Sequence, residues 1–368
     1  MMQSSPKITG AKVNFAWPDP APQDVLLLKA HSAGVGDLLR SSAAWRVLRD
    51  ALPQSRLHLW FLTSSPGSPS EELMQRHHLL ASFHVSNKRH EGWRKLLWNA
   101  NRIATATRPQ LIVDFEPHGF RTSVLAWFLR RRTQARTVGV AEFPLRRFFY
   151  DLAAPSVSSY ARRRGMSRPI EYTERDFVVL TALGLERHGA AIELKETVEG
   201  RAFREKLLAH IGSAQPVLGV NVGCGTPDAV TKRPDLDLLA SLVNEVHRRH
   251  GFTVVLTGAP YEQEINRQLR NKLSPGMPVF DLAGRTNMLE LTGAIAACRL
   301  FISGDSGPYH MAVALRVPQL ALFNFPNPVH YHTYPWVECR VAPNPDALPE
   351  VLTAAERLLQ IKPPSLPR

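Results

Sequence analysis

The sequence predicts an α/β protein built from two Rossmann-like halves. Short apolar runs alternate with stretches of helical spacing along most of the 368 residues. This alternation begins near Asp24, lapses in a charged stretch over 186–215, and starts afresh at Val217. Leu300 to Leu315 compresses one whole unit, strand, tight loop and helix, into sixteen residues. Two such halves joined by a linker are expected to face each other across a cleft.

Taken in order, residues 24–29 read as the first strand and 31–37 as a glycine-containing loop. Residues 38–52 place apolar side chains at 38, 39, 44, 45, 48 and 52, the spacing of a helix, and Pro53 closes it. A second strand occupies 57–62. From 63 to 110 the pattern weakens to a Ser/Pro-rich turn and a helix over 93–106. Strands at 111–114 and 137–140 bracket a helix at 122–129. The segment 143–170 mixes Phe148-Phe149-Tyr150 with arginines and breaks the alternation. It reads as a mobile acceptor or membrane loop, or equally as an ordinary surface insertion. A helix over 172–183 ends at Gly184.

The linker region holds a charged helix near 198–210. The second alternation then runs through a strand at 217–222 and the glycine loop Gly223-Cys224-Gly225-Thr226. Lys232 follows, then a helix at 236–250 stopped by Gly251, and a strand at 253–257. Helices at 264–273 and 286–297 flank an extended stretch at 279–282. After a strand at 319–323 comes an aromatic loop through Trp336, a helix at 349–360 and a Pro-rich tail. The expected boundaries are a loose tail (1–23), a first domain (24–185), a linker (186–215), a second domain (216–345), and a terminal helix and tail (346–368).

The stretch around Asp305 draws most attention. Leu300–Ser303 is a buried strand by composition, and Gly304 to Pro308 are turn formers. Ser306 or Gly307 caps the next helix, with Pro308 in its first turn, where no N–H is needed. A βαβ loop of this kind lies at the carboxyl edge of the sheet, where open α/β folds bind ligands. The free N–H groups of a helix start suit a phosphate, and His310, one turn in, is placed to donate to the same anion. On this stretch alone, a capped core helix with a packed histidine fits as well. Gly34-Val35-Gly36 opens like a dinucleotide fingerprint, but the third glycine position is Leu39. What remains there is Asp37, a helix cap or an acid placed for proton transfer.

Composition narrows the function classes. The chain is 44% hydrophobic and 21% charged, an ordinary globular balance. Cys224, Cys298 and Cys339 match no zinc or disulfide framework, so a reducing cytoplasm is the expected home. The first 23 residues lack the apolar run of a signal peptide, and no stretch approaches the ~20 apolar residues of a spanning helix. The net charge of +13 is unevenly placed. Residues 1–185 hold 26 Lys and Arg against 14 Asp and Glu, while the remainder hold 19 against 18. Clusters such as Lys88-Arg89, Arg130-Arg131-Arg132, Arg146-Arg147 and Arg162-Arg163-Arg164 all lie in the basic half. Such a field suits nucleic acid, an acidic membrane surface or a phosphorylated substrate; a solvated Arg-rich surface accounts for any one cluster alone. No stacking-aromatic module or recognition helix supports nucleic acid.

Together these motifs resemble glycosyltransferase family nine, the heptosyltransferases of lipopolysaccharide core assembly. The resemblance covers roughly residues 25–359. It rests on Gly36-Asp37-Leu38, on 111–114 followed by Arg121-Thr122-Ser123, and on 221–225 with Lys232-Arg233. It continues through Gly258-Ala259-Pro260-Tyr261-Glu262 and 282–286 to Gly304-Asp305-Ser306-Gly307-Pro308-Tyr309-His310. Two departures stand out: Pro234-Asp235 replaces the usual Trp-Pro, and Asn324-Phe325-Pro326 the usual Gly-Pro-Thr. The resemblance implies the GT-B architecture, with the first domain taking the acceptor and the second a nucleotide-sugar donor. It implies inverting transfer with no metal and no cofactor. Asp37 would be the base. Gly223, Gly225, Thr226, Lys232, Ser306, Gly307 and His310 would hold the diphosphate side, Asp305 the sugar hydroxyls and Glu262 the ribose or base. Gly36, Arg121, Arg162, Arg163 and Arg164 would meet an anionic, lipid-linked saccharide acceptor at the cytoplasmic membrane surface. A non-catalytic sugar-nucleotide-binding protein, or a member using another nucleotide-sugar, is the alternative.

Overall fold

The computed structural model describes residues 20–31, 34–166, 170–212, 215–224, 230–342 and 344–362. Residues 1–19 of the expected tail, and 363–368 of the terminal one, lie outside the described residues. The chain divides into two compact units. One runs to Ala33 and resumes over Arg40–Ala190, while the other holds Gly34–Leu39 and continues from Ala191.

In chain order, the first part contains β1 (Asp24–His31), α1 (Val35–Leu39), α2 (Ser42–Ala51), β2 (Arg56–Thr63), α3 (Pro69–Gln75), β3 (Ser82–Asn87) and α4 (Trp93–Thr107). It continues with β4 (Leu111–Asp114), α5 (Phe120–Thr133), β5 (Arg136–Val140), β6 (Leu152–Ala154), α6 (Val157–Arg163) and α7 (Tyr172–Leu180). The strands form one parallel sheet in the order β3-β2-β1-β4-β5-β6. That is the Rossmann order, which reverses direction between β1 and β4. Leu26, Leu28, Ile112, Trp60 and Leu62 from the strands pack with Leu96, Ile103, Leu125 and Leu129 from α4 and α5. Lys29 donates to both carboxylate oxygens of Asp176 at 2.9 Å and so ties α7 to β1.

Two local expectations change. The helix expected over 38–52 is broken after Leu39, giving α1 and then α2 from Ser42. The segment expected to break the alternation holds, over its described residues up to 166, a 3-10 turn (Pro144–Phe149), β6 and α6; 167–169 lie outside the described residues. Arg146, counted from sequence among the surface clusters, is fully buried. Its guanidinium donates to the carbonyls of Pro117 and Glu116, to Ser123 Oγ and to Tyr150 Oη, and lies 3.4 Å from Asp114 Oδ2. Burial pushes the Asp114 carboxyl up to about 6, although Arg146 and Tyr150 pull it down.

The second part contains α8 (Val198–Ile211), β7 (Val217–Asn221), α9 (Leu236–His250), β8 (Thr253–Thr257), α10 (Gln263–Arg270), β9 (Val279–Asp281) and α11 (Met288–Ala296). It closes with β10 (Leu300–Ser303), α12 (Gly307–Ala314), β11 (Gln319–Phe323), β12 (Val337–Val341) and α13 (Leu348–Gln360). Its sheet, again parallel, is ordered β12-β11-β10-β7-β8-β9. Counted from its own first strand this is the same Rossmann order, with the reversal between β7 and β10. The 186–215 stretch is divided at Ala190, and its helix α8 belongs to this unit. There the Thr197 hydroxyl, which caps α8, donates to the Leu289 carbonyl in α11 at 3.2 Å. Glycines end α7's 3-10 extension and α9 as expected: Gly184 and Gly251 have φ of 71° and 67°.

Replacing Arg146 by Met leaves a buried carboxylate without its counter-charge. We expect a loss of about 3–5 kcal/mol in urea unfolding, whereas the same change at exposed Arg147 stays within about 0.5 kcal/mol.

Candidate active site

The second sheet assembles a site at its switch point. β7 and β10 are neighbours in register, with Asn221 beside Ser303, and their carboxyl ends carry the loops at Gly223 and Asp305. Ser306 is the cap of α12: its side chain accepts from the Tyr309 amide, while Pro308 stands in the first turn. This helix start follows β10, one of the two strands at the switch point, a position that favours an anion.

Asp305, at the end of β10, is buried and gathers cationic and amide groups around it. Lys232 donates to its Oδ2 at 3.0 Å, Asn327 at 3.1 Å, and His330 Nδ1 lies 2.9 Å from both oxygens. Burial alone would raise this carboxyl, yet His330 and Lys232 outweigh it and hold it down at about 2. Asp305 therefore works as a fixed anion that positions Lys232 and the 324–336 loop. Asn324, in one of the two departures, donates to the carbonyls of Thr231 and Arg233 on either side of Lys232. Both departures line one cavity of about 600 Å³, formed by Pro234, Asp235, Asn324 and Phe325 with Val230 and Arg233.

His310 is buried one turn into α12, its Nδ1 2.8 Å from Nε2 of His332. Its other edge rests on Gly36: a Cβ there would lie 2.2 Å from Cδ2 and 2.6 Å from Nε2. α1 thus packs on α12 through a backbone face that only glycine supplies. Gly36, expected to meet acceptor, seats the histidine. Asp37 is the third residue of α1 rather than its cap, and its amide donates to Gly34 O at 3.1 Å. Its carboxylate folds back toward Gly34, whose Cβ position is 2.9 Å from Oδ2. α1 therefore brings Asp37, Lys232, Asp305, Ser306, Gly307 and His310 into a single compact unit.

Glu262 is held between two loops of this unit. Its two oxygens accept from the amides of Cys224 at 3.0 Å and Ala259 at 2.7 Å, and the side chain is buried. A Cβ at Gly223 would fall 1.7 Å from its Oε1. Glu262 and Gly223 are thus locked together as a brace for the loop after β7. Gly225 and Thr226 lie outside the described residues. Of the expected acceptor contacts, Arg121 is exposed in the first turn of α5, and Arg162, Arg163 and Arg164 are exposed at the end of α6. Arg163 and Arg164 line a cavity of about 360 Å³ with Tyr160 and Glu186, and Arg164 pairs with Glu186 at 2.8 Å. All four belong to the first unit.

Among the described residues, one group has metal-ligating chemistry: Asp305, His310 and His330 bring ligand atoms within 4.8 Å of one another. Lys232 already sets a positive charge on the same carboxylate, which opposes a second cation. Sequence reasoning missed Asn327, His330 and His332, and marked Asn324 only as a departure from the family pattern. The signal was the pair of histidines two apart in the aromatic loop, but their partners are distant in sequence.

The depressed Asp305 carboxyl has a signed consequence. Its folded value of about 2 lies below the ordinary 3.8. Its stabilisation is therefore complete above about pH 4 and lost as pH falls through about 2. Urea midpoints of the wild type and Asp305→Asn should differ by a constant amount above pH 4 and converge toward pH 2.

Comparison with known proteins adds to this geometry. The family model described as glycosyltransferase family 9 (heptosyltransferase) matches residues 174–342. Lipopolysaccharide heptosyltransferase 3 of Escherichia coli is 28% identical over 166 residues, 44% of this chain and 46% of that protein. Lipooligosaccharide heptosyltransferase 2 of Campylobacter jejuni is 25% identical over 161 residues, again 44% of this chain and 47% of the relative. The chain thus spans about half the length of these curated relatives in the matched regions. A family 9 glycosyl transferase from Veillonella parvula superposes with a TM-score of 0.68 at 19% identity, covering 92% of this chain and 97% of its own. Escherichia coli ADP-heptose lps heptosyltransferase II gives 0.64 at 17%, covering 91% and 98%. At such identities the structural likeness is one of fold, the two Rossmann-like units of the GT-B architecture. Over residues 174–342, just under half of its length, the chain is similar to glycosyltransferase family 9 (heptosyltransferase).

Proposed function

We propose that this protein is an inverting, metal-independent glycosyltransferase that transfers a sugar, heptose from ADP-heptose in the first place, to an anionic lipopolysaccharide-core acceptor. The observation that carries the reading is the packing of α1 on α12. It sets one carboxylate, Asp37, in the same compact unit as an anion-favouring helix start and Lys232. In this reading Asp37 takes the proton from the acceptor hydroxyl as that oxygen bonds to the anomeric carbon. The bond from that carbon to the diphosphate breaks, and Lys232, His310 and the helix start at Ser306-Gly307 stabilise the charge on the departing oxygen. Asp305 orients Lys232 and meets the sugar hydroxyls. An adenine nucleotide is supported by a structural neighbour at 16% identity, Escherichia coli heptosyltransferase WaaC, whose structure holds ADP. The donor is a substrate here, and no cofactor is needed. The basic first unit suits a phosphorylated, lipid-linked saccharide at the cytoplasmic face of a membrane, in keeping with the +12 balance of residues 1–185.

A thermal-shift panel of ADP, UDP, GDP and their sugars tests the donor. A ligand that binds only the folded state raises its melting temperature. ADP and ADP-sugars should give the largest shift, and Lys232→Ala should remove most of it. A larger shift with UDP or GDP would assign a different donor.

Asp37→Asn tests the transfer step and separates an enzyme from a binding protein. Asn keeps the shape of Asp but accepts no proton at neutral pH. Transfer should fall by about 10²–10⁴-fold, with donor affinity kept within about threefold. Transfer at the wild-type rate would remove Asp37 as base, and loss of donor binding would make it a ligand-positioning residue.

A further inference from the structure

The outward face of α4, α5 and the 3-10 turn Pro144–Phe149 is unlike an ordinary solvated surface. The inner sides of both helices are core: Leu96 and Ile103 from α4 and Leu125 and Leu129 from α5 pack on the sheet. The outer sides should then be polar, and they are not. On α4, Lys95, Trp98 and Arg102 share one side at spacings of three and four. On α5, Phe120, Val124, Trp127 and Arg131 do the same. Trp98 is 54% exposed, Trp127 40% and Phe148, in the 3-10 turn, 71%. Leu145 in that turn is exposed as well.

These elements form one surface. Arg132 at the end of α5 donates to Asn101 of α4 at 2.8 Å. At the other end of α5, the Phe120 and Phe149 rings meet edge-on at 5.6 Å, joining the 3-10 turn to the helix. The three segments carry no aspartate or glutamate; of their nine lysines and arginines, Arg146 is buried and Arg130 pairs with Asp151, and the other seven are exposed. Cations lie over the exposed indoles: Lys95 Nζ is 4.2 Å from the Trp98 ring centre, Arg102 5.3 Å, and Arg131 5.3 Å from Trp127.

Charge and shape together name the occupant. Indole rings flanked by cations favour the boundary between water and hydrocarbon, where the ring is buried and the charge stays wet. An acid-free basic field is attracted to anionic headgroups, at about 1 kcal/mol per residue near the surface. Leu145 and Phe148 project aliphatic and aromatic surface that a phosphate backbone leaves unmatched. Among the described residues no helix is long and apolar enough to cross a membrane, so contact is with one leaflet. We infer that α4, α5 and the Pro144–Phe149 turn form a docking face for an anionic phospholipid bilayer. Trp98, Trp127 and Phe148 enter the headgroup layer, and Lys95, Arg102 and Arg131 meet lipid phosphates. The inference stands independently of the transfer reading, since no donor or acceptor enters it.

The test is co-sedimentation of the full chain with vesicles of phosphatidylcholine, with and without phosphatidylglycerol, at low and high salt. Binding should require phosphatidylglycerol, weaken with salt, and shift tryptophan emission to the blue. The triple variant Trp98→Ser, Trp127→Ser, Phe148→Ser should bind at least tenfold more weakly. Lys95→Gln, Arg102→Gln, Arg131→Gln should lose about a hundredfold, three such charges at that scale. All six positions are exposed, and unchanged melting temperatures would confirm intact folding. Absence of binding to phosphatidylglycerol vesicles, or wild-type binding by both variants, would overturn the proposal. So would salt-sensitive binding to random duplex DNA with vesicle binding unaffected by the aromatic variant, which would assign the face to nucleic acid.

Discussion

The candidate site depends on one contact: the His310 ring lying against the bare backbone of Gly36. Chain order would leave α1 with the first sheet, since it follows β1 directly. Close packing on α12 draws it into the second unit instead. The contact is steric, and any side chain at position 36 would occupy the space of the imidazole. Through it, the carboxylate of Asp37 and the anion-favouring start of α12 are held by the same pair of helices.

A second constraint is electrostatic. Asp305 is nearly removed from water, and an isolated carboxylate in that place would be costly. Lys232, Asn327 and His330 supply the missing interactions, and each is fixed in return. The lysine on the β7 side and the loop after β11 are thereby tied to the end of β10. Asn324 completes the arrangement by holding the backbone around Lys232. The two positions that depart from the family pattern are thus part of this network or of the cavity beside it, rather than scattered surface changes.

Two charged residues changed their meaning on folding. Glu262 braces the Gly223 loop through two amides, and Arg146 sits at the centre of a buried cluster with Asp114 and Tyr150. In each case the neighbours give the residue a cross-linking role that its type alone did not indicate. The aromatic residues followed the opposite course. Trp98, Trp127 and Phe148 have the composition of core and stand at the surface, beside cations.

Much of the fold was legible in the sequence. The strands at 111–114, 253–257, 300–303 and 319–323 and the helix at 236–250 coincide with β4, β8, β10, β11 and α9. Central parallel strands are continuous apolar runs, and helix ends carry Ser, Asp, Gly or Pro at fixed offsets, so both signals are local. The strands it did not reveal, β3, β6 and β12, are sheet edges and partly exposed, β12 being mixed in polarity as Val-Glu-Cys-Arg-Val. The sequence also marked Asp37, Lys232, Asp305, Ser306 and His310. Only the tertiary structure joined His330 and Asn327 to Asp305, seated His310 on Gly36 and buried Arg146. Each of those depends on residues brought together from distant parts of the chain, and periodicity and capping carry no information about such pairs.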